Sequence, residues 1–502
     1  MRTRCSSALA ALVGLVLAAG CGGGATGGPA TGPPPAPGPA VSYVLSDDPV
    51  SVTPLGASSP SELTVERSVF AGLFDSDPAG GGVVPVLARS WQASDDLKTF
   101  TFRLRKDVTF TDGEPVTADT FVRDWAIVCA TGAPAAPLLR LIEGAEQCGL
   151  DPDVTALSGV RALAPDRLEV TLSAPFADLP AVFSNPGTFA FPPDLADTPE
   201  ERAAFEQTPV GCGSFRIESW DRGSSINLVR TTGAVKVAGV DMTILTGSVG
   251  ARAAVRGFRS GRFDATPLPA SQLKVTMSDP QLSRRLVIRP LEALTALLVS
   301  PEVVPNPTER QAIAHANDPV GAAAASGGGT PADGLIPVTT PGYVPGATIY
   351  RYDPAAASSE LGGSPEKVRV YADDPELTVV AGQVVNALRA VGLPAALTER
   401  AAGALRVVRL SAAYPSADAI VGPLALGGEA RKLLEQSRTT RDTPKRQELQ
   451  RATAVEELRS AIVIPLTFSG APFVVQPGVD GAVFDAAGLP HFNQWGWVQS
   501  SR

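Results

Sequence analysis

The chain has 502 residues, 44% hydrophobic and 19% charged, which is the composition of a globular protein long enough for two or three domains. A net charge of −9 and a pI near 5.0 argue against a nucleic-acid partner. Two histidines, His315 and His491, leave little room for multi-histidine metal chemistry or a histidine-based catalytic network.

Arg2 and Arg4 precede an apolar run, Ser7 to Ala19, too short to span a bilayer, and Leu17-Ala18-Ala19-Gly20-Cys21 reads as a small-residue cleavage site ending in cysteine. The pattern resembles a bacterial lipoprotein signal over residues 1–20. It implies lipidation of Cys21 and a soluble body anchored extracytoplasmically to the cell membrane of a bacterium by its acyl chains. Ala18 stands where the usual pattern prefers leucine, so an ordinary secretory peptide is the other reading. Residues 21–40 follow as a Gly/Pro-rich tether with no charge and no large apolar residue, flexible at its glycine end and stiffer where prolines crowd.

Val41 to Leu45 predicts a short strand, followed by a polar loop through Ser61 and a helix through Phe70. From Lys98 to Arg105 the pattern alternates: Phe100, Phe102 and Leu104 on one face, Thr99, Thr101, Arg103 and Arg105 on the other, as in a half-buried antiparallel strand. Val108 and Phe110 open a second short strand that Asp112-Gly113 ends, and Thr117 is the candidate cap of a helix through Trp125. In an oxidising compartment Cys129 and Cys148 are the natural disulfide pair, because both flank one helical segment. Such a loop contributes roughly 3 kcal/mol in the chain-entropy model. Cys212 is then an odd, buried thiol, and no cysteine spacing is a metal motif.

Pro85-Val86-Leu87-Ala88, Ser90-Trp91, Ser94-Asp95-Asp96, Phe100 to Arg105 and Phe110-Thr111-Asp112-Gly113 together resemble the signature of the peptide, nickel and oligosaccharide-binding lipoproteins that feed ABC importers, solute-binding protein family 5. The resemblance implies an α/β, bilobal periplasmic-binding-protein-like fold, with an inserted subdomain in the first lobe. By that likeness residues 41–75, 205–270 and 478–502 form lobe I, 76–204 the inserted subdomain and 271–477 lobe II.

Further along, Val160 to Leu172 reads as two strands around a Pro165-Asp166 turn, Pro175 to Phe183 as a helix, and Pro209 to Phe215 as the family's glycine element with Cys212 in place of threonine. Thr308 to Ala316 is a helix, the Gly/Ala-rich Gly321 to Gly329 a mobile stretch, and Leu377 to Val391 an amphipathic helix stopped by Gly392. Arg441 to Leu458 is a further helix. The tail with Trp495 and Trp497 rejoins the first lobe by resemblance.

Peptide-binding members hold the ligand's ammonium with an aspartate in a Trp-x-x-Asp-Tyr-Pro-like stretch, and the matching stretch here is Arg409 to Asp418, with Ala413 at the aspartate's place. The candidate substrate-binding residues are therefore Arg409, for a ligand carboxylate or as a surface charge, Tyr414, as cleft wall or packing, and Asp418, as a substitute carboxylate or a solvated one. No nucleophile elbow, phosphate loop or zinc-protease motif occurs, and neither an enzyme, a metal nor a cofactor is expected. The expected function is capture of a peptide-like or other medium-sized polar solute by a monomer that delivers it to ABC permease subunits. A family member that has lost transport and acts as a surface interaction or assembly protein is the alternative.

Overall fold

The computed structural model describes residues 38–78, 81–151, 156–195, 205–206, 208–362, 366–424 and 427–498. The leader, Cys21 and the tether up to residue 37 lie outside the described residues. Among the described residues no helix is long and apolar enough to cross a membrane.

In chain order the main strands are β1 (Val41–Leu45), β2 (Phe74–Ser76), β3 (Val83–Pro85), β4 (Ala88–Ala93), β5 (Thr99–Leu104), β6 (Val160–Ala164), β7 (Arg167–Thr171), β8 (Phe215–Asp221), β9 (Ser225–Arg230), β10 (Gly239–Ile244), β11 (Ala265–Pro267), β12 (Leu286–Leu298), β13 (Thr330–Pro331), β14 (Val368–Ala372), β15 (Ala395–Leu397), β16 (Leu405–Ser411) and β17 (Val463–Val475). Most join one mixed sheet in the order β15-β14-β16-β12-β17-β11-β1-β10-β9-β8. Its two halves meet at one seam, where Ala265 to Pro267 of β11 pair antiparallel with Val475 to Phe473 of β17. On one side β1 lies parallel between β10 and β11; on the other β14 is parallel to β15 and β16, while β12 is antiparallel to β16 and β17. The chain crosses between the halves after β11 and again after β17, so two connections join two α/β lobes. After the second crossing Trp495 packs edge-on to Tyr43, and Trp497 Nε1 donates to the Pro39 carbonyl at 2.9 Å, returning the tail to the first lobe.

A separate antiparallel sheet, β4-β5-β7-β6, branches from the first lobe. Alternation makes it one-sided: Phe100, Phe102 and Leu104 are buried with Leu168 and Val170 opposite, while Arg103 is exposed. The helix Ala118–Thr131 packs on it and buries Phe121 and Trp125, whose ring stacks on Phe183 at 4.4 Å. That helix also carries Cys129, which is bonded to Cys148, whereas Cys212 is free and half-buried. Burial pushes the Cys212 thiol up to about 12, so it is no nucleophile at neutral pH.

Three local expectations change. Around Val108 and Phe110 there is a tight turn rather than a strand: Phe110 N–H bonds to Glu114 O and Gly113 N–H to Phe110 O, leaving only the bridge Thr109–Pro115. The helix in Pro175 to Phe183 shrinks to Leu179–Val182, since Phe176 N–H bonds to Leu97 O and Ala177 N–H to Arg438 O instead of to carbonyls of the same segment. The stretch read as mobile from Gly321 is largely the helix Pro319–Ser326, started by Asp318 accepting from Val320 N–H at 3.0 Å and ended by Gly327 at φ +71°. Its run of alanines outweighs its glycines.

Candidate functional site

The inserted subdomain touches the second lobe through a short polar segment. Asp178, just before the helix Leu179–Val182, accepts from Arg446 Nε at 2.8 Å, Ser416 Oγ at 2.7 Å and Gln450 Nε2 at 3.0 Å. Beside it, Ala177 N–H donates to Arg438 O at 3.0 Å and Asn185 Nδ2 to Ala413 O at 2.8 Å. Phe176 meets Tyr414 edge-to-face at 6.2 Å, and the Arg438 guanidinium lies over the Phe176 ring at 5.6 Å.

Two of the sequence candidates belong to this contact. Asp418 is only 2% exposed, and its carboxylate accepts from Arg438 at 2.8 and 3.0 Å and from the Tyr414 hydroxyl at 3.1 Å. A carboxylate occupied in this way is not solvated; it orients Arg438 and Tyr414 against the other lobe. Burial, together with the Asp418 charge, pushes the Tyr414 hydroxyl well above its usual range, so it remains a donor. Arg409 lies elsewhere, on the exposed side of β16, where Glu376 at 3.2 Å and Asp374 at 3.9 Å hold it. Of the three candidates, Tyr414 and Asp418 come together and Arg409 does not join them.

A second cluster lies where both lobes and the returning tail meet. Arg67, near the end of the helix Pro60–Val69, forms ion pairs with Asp75 on β2 and with Asp485 in the tail. Ser76 Oγ bridges to Asp485 at 3.0 Å, and buried His491 lies 3.8 Å from the same carboxylate. Burial alone would raise the Asp485 carboxyl, but Arg67 and His491 hold it below the ordinary carboxylate range. From the second lobe, Arg289 donates to the carbonyls of Asp485 at 3.3 Å and Pro78 at 3.1 Å.

The second lobe adds one more group. In β12, Pro290 pairs with Gly470 but Leu294 pairs with Phe468, so Leu291, Glu292 and Ala293 bulge opposite Ser469. Glu292 is pinned there by N–H donation to Ala486 O at 2.7 Å and by accepting from Ala412 N–H at 2.8 Å. The residue is 7% exposed, and Oε1 is buried with no hydrogen-bond partner. Desolvation, then the Asp485 charge, pushes its carboxyl up to about 8, with Arg289 opposing. Sequence reasoning passed over Glu292, Asp178 and Arg67. The available signal for Glu292 was Pro290 and the one acid of a mostly apolar strand.

Two recesses of about 920 and 950 Å³ open on the first lobe and share Arg105 and Asp107. No residue of the second lobe lines either, so neither is the interlobe site. Among the described residues no group of three or more His, Cys, Asp or Glu side chains is arranged to hold a metal ion.

The sequence model described as bacterial extracellular solute-binding proteins, family 5, middle region, matches residues 82–400, well over half of the chain. The chain belongs to family 5. Its relatives include the periplasmic oligopeptide-binding protein OppA of Escherichia coli K12, 33% identical over 187 residues, which are 36% of this chain and 34% of that protein. The match thus spans about a third of that relative's length. The probable D,D-dipeptide-binding periplasmic protein DdpA of the same organism is 26% identical over 382 residues, 72% of this chain and 70% of that protein. In structure, the unliganded open form of the periplasmic murein tripeptide-binding protein MppA superposes with a TM-score of 0.77 at 19% identity, over 92% of this chain and 98% of that one. At that identity the likeness is one of fold, and the fold is the two-lobed α/β fold that the family 5 resemblance implies.

Proposed function

We propose that this family 5 protein is the extracytoplasmic solute-binding component of an ABC importer, capturing a peptide-like or other medium-sized polar solute between its lobes and delivering it to permease subunits. The observation that carries the reading is the family match over residues 82–400, joined to a two-lobed fold shared along nearly the whole chain. The peptide-like class comes from relatives whose names state oligopeptide and D,D-dipeptide binding. Two connections and a set of polar interlobe contacts allow the lobes to change orientation. A solute that contacts both lobes favours the arrangement in which both face it, and the permease would read that arrangement. Tyr414, beside the interlobe contact, is the cleft residue retained from the sequence candidates; Asp418 supports it and Arg409 takes no part. Acylation of Cys21, anchoring through it, and a monomeric state belong to the same proposal, which contains no catalytic step and no cofactor.

Native mass spectrometry of protein purified without refolding tests it. A discrete added mass that leaves on denaturation is expected. Bare protein that gains no mass from a panel of peptides and oligosaccharides would remove solute capture. It would favour the surface interaction protein, the reading that Ala413 at the aspartate's place also favours.

A further inference from the structure

We propose that Glu292 is the carboxylate that receives a positively charged nitrogen group of the solute, so that the captured class is cationic at one end. The inference rests on the solute-capture reading above and deepens it.

Its first support is position. The bulge in β12 places Glu292 between two segments that serve different lobes. Ala486 belongs to the tail that returns to the first lobe, and Ala412 precedes Ala413, whose carbonyl the inserted subdomain already touches through Asn185. A group held there lies between segments that belong to both lobes. A bulge is a means of re-aiming one side chain out of a regular ladder, and here the re-aimed side chain is an acid.

Its second support is the charge inventory of the junction. Asp75 and Asp485 share Arg67, and Arg289 is taken up by two carbonyls. Asp485 from the tail and Arg289 from β12 itself are the charged groups that act on Glu292, and Asp485 in turn meets Arg67 from the helix Pro60–Val69 and His491 from the tail, with Asp75 from β2 on the far side of Arg67. Three carboxyls thus stand against two guanidinium groups. Glu292 is the one left over, with Oε1 buried and unpartnered. As a purely structural residue it would leave a desolvated oxygen unsatisfied with nothing in return. A ligand cation supplies both the missing charge and the missing donor.

Binding then has a proton balance. Below pH 8 the empty site holds Glu292 mostly protonated, and a cation seated beside it favours the carboxylate. The displaced proton passes to solvent; no bond of the solute changes.

Isothermal titration of the full chain with three probes decides the matter: tri-alanine, N-acetyl-tri-alanine and N-acetyl-Ala-Arg-Ala, which separate an ammonium, no cation and a guanidinium. The wild type should prefer one cationic probe over the neutral one and should release a proton on binding it at pH 6.5, seen as heats that vary with the buffer's ionisation enthalpy. Glu292→Gln should lose that preference, with affinity falling by roughly one to two orders of magnitude. Equal binding of the acetylated probe by the wild type, or an unchanged preference in Glu292→Gln, overturns the role of Glu292 while solute capture stands. Capture of a neutral solute with none of the cationic probes bound does the same. If the wild type binds neither these probes nor any wider panel, solute capture falls and Glu292's role with it. Should Glu292→Gln fail to fold, proton release by the wild type decides: none with a preferred cationic probe overturns the proposal.

Discussion

Glu292 and Asp485 are buried acids a short distance apart whose environments act in opposite directions, and folding stability should show both. Asp485 is held low by Arg67, so its contribution is present above the carboxyl's unfolded pKa and fades as pH falls. Glu292 is raised from 4.5 to about 8, so the native state binds more protons than the unfolded chain between those values. Its contribution is present below about pH 4.5 and is lost as pH rises towards 8. Glu292→Gln removes that slope. In urea titrations without ligand, the variant should gain on the wild type between pH 5 and pH 8.5, by an amount on the order of a few kcal/mol. A difference that does not move with pH would mean that Glu292 is solvated. Sequence reading could mark the acid in its strand but not its surroundings. Its environment is made by Ala412 and Asp485, far away in the chain, whereas Phe100 and Phe102 announce their burial through neighbours two residues off.

At the scale of elements, what was legible had a period or a punctuation mark. The alternation of β5, the turn at Pro165-Asp166 between β6 and β7, and the apolar face Val380, Val384 and Leu388 of the helix Thr378–Ala390 all rest on local rules. Hidden were the turn at Phe110, where short-range hydrogen bonds compete with a weak strand pattern, and the helix Pro319–Ser326, where alanine propensity was masked by glycine composition. The element Gly211-Cys212-Gly213 was legible by its glycines, which permit a tight turn or a close backbone approach, and the structure shows the latter. Gly213 N–H donates to the Val69 carbonyl at 2.7 Å, and a Cβ on Gly213 would stand 2.5 Å from Val69 C and 2.6 Å from Ser68 O. Both obstacles are backbone at the end of the helix that carries Arg67, so they cannot rotate away. Gly213→Ala should therefore destabilise by about 1–3 kcal/mol through forced backbone movement. A thermal melt unchanged from wild type would show that the helix end gives way freely. Because Arg67 sits on that helix, the variant should also weaken capture of any solute found by native mass spectrometry.

The whole molecule is organised by a division between cores. One buried cluster unites the first lobe, the inserted sheet and the tail, and two others fill the second lobe. Apart from the seam and the tail, the contacts described between them are polar or aromatic, and Asp178 gathers three partners of the second lobe on one carboxylate. Its side chain is 14% exposed and that of Arg446 13%, so the pair is shielded from solvent without being part of either core. Removing one partner of such a pair leaves the other charge desolvated, a loss of about 3 kcal/mol. That loss falls on the docking of the lobes, because neither hydrophobic core contains Asp178. Asp178→Ala should therefore depopulate the docked arrangement by roughly a hundredfold relative to wild type. Small-angle scattering of the solute-free variant should give a larger radius of gyration, and added solute should bring it back towards the wild-type value while affinity is reduced. Unchanged scattering with a lowered melting temperature would mean that the seam between β11 and β17 sets the lobe orientation, and that the Asp178 contact adds stability without setting it.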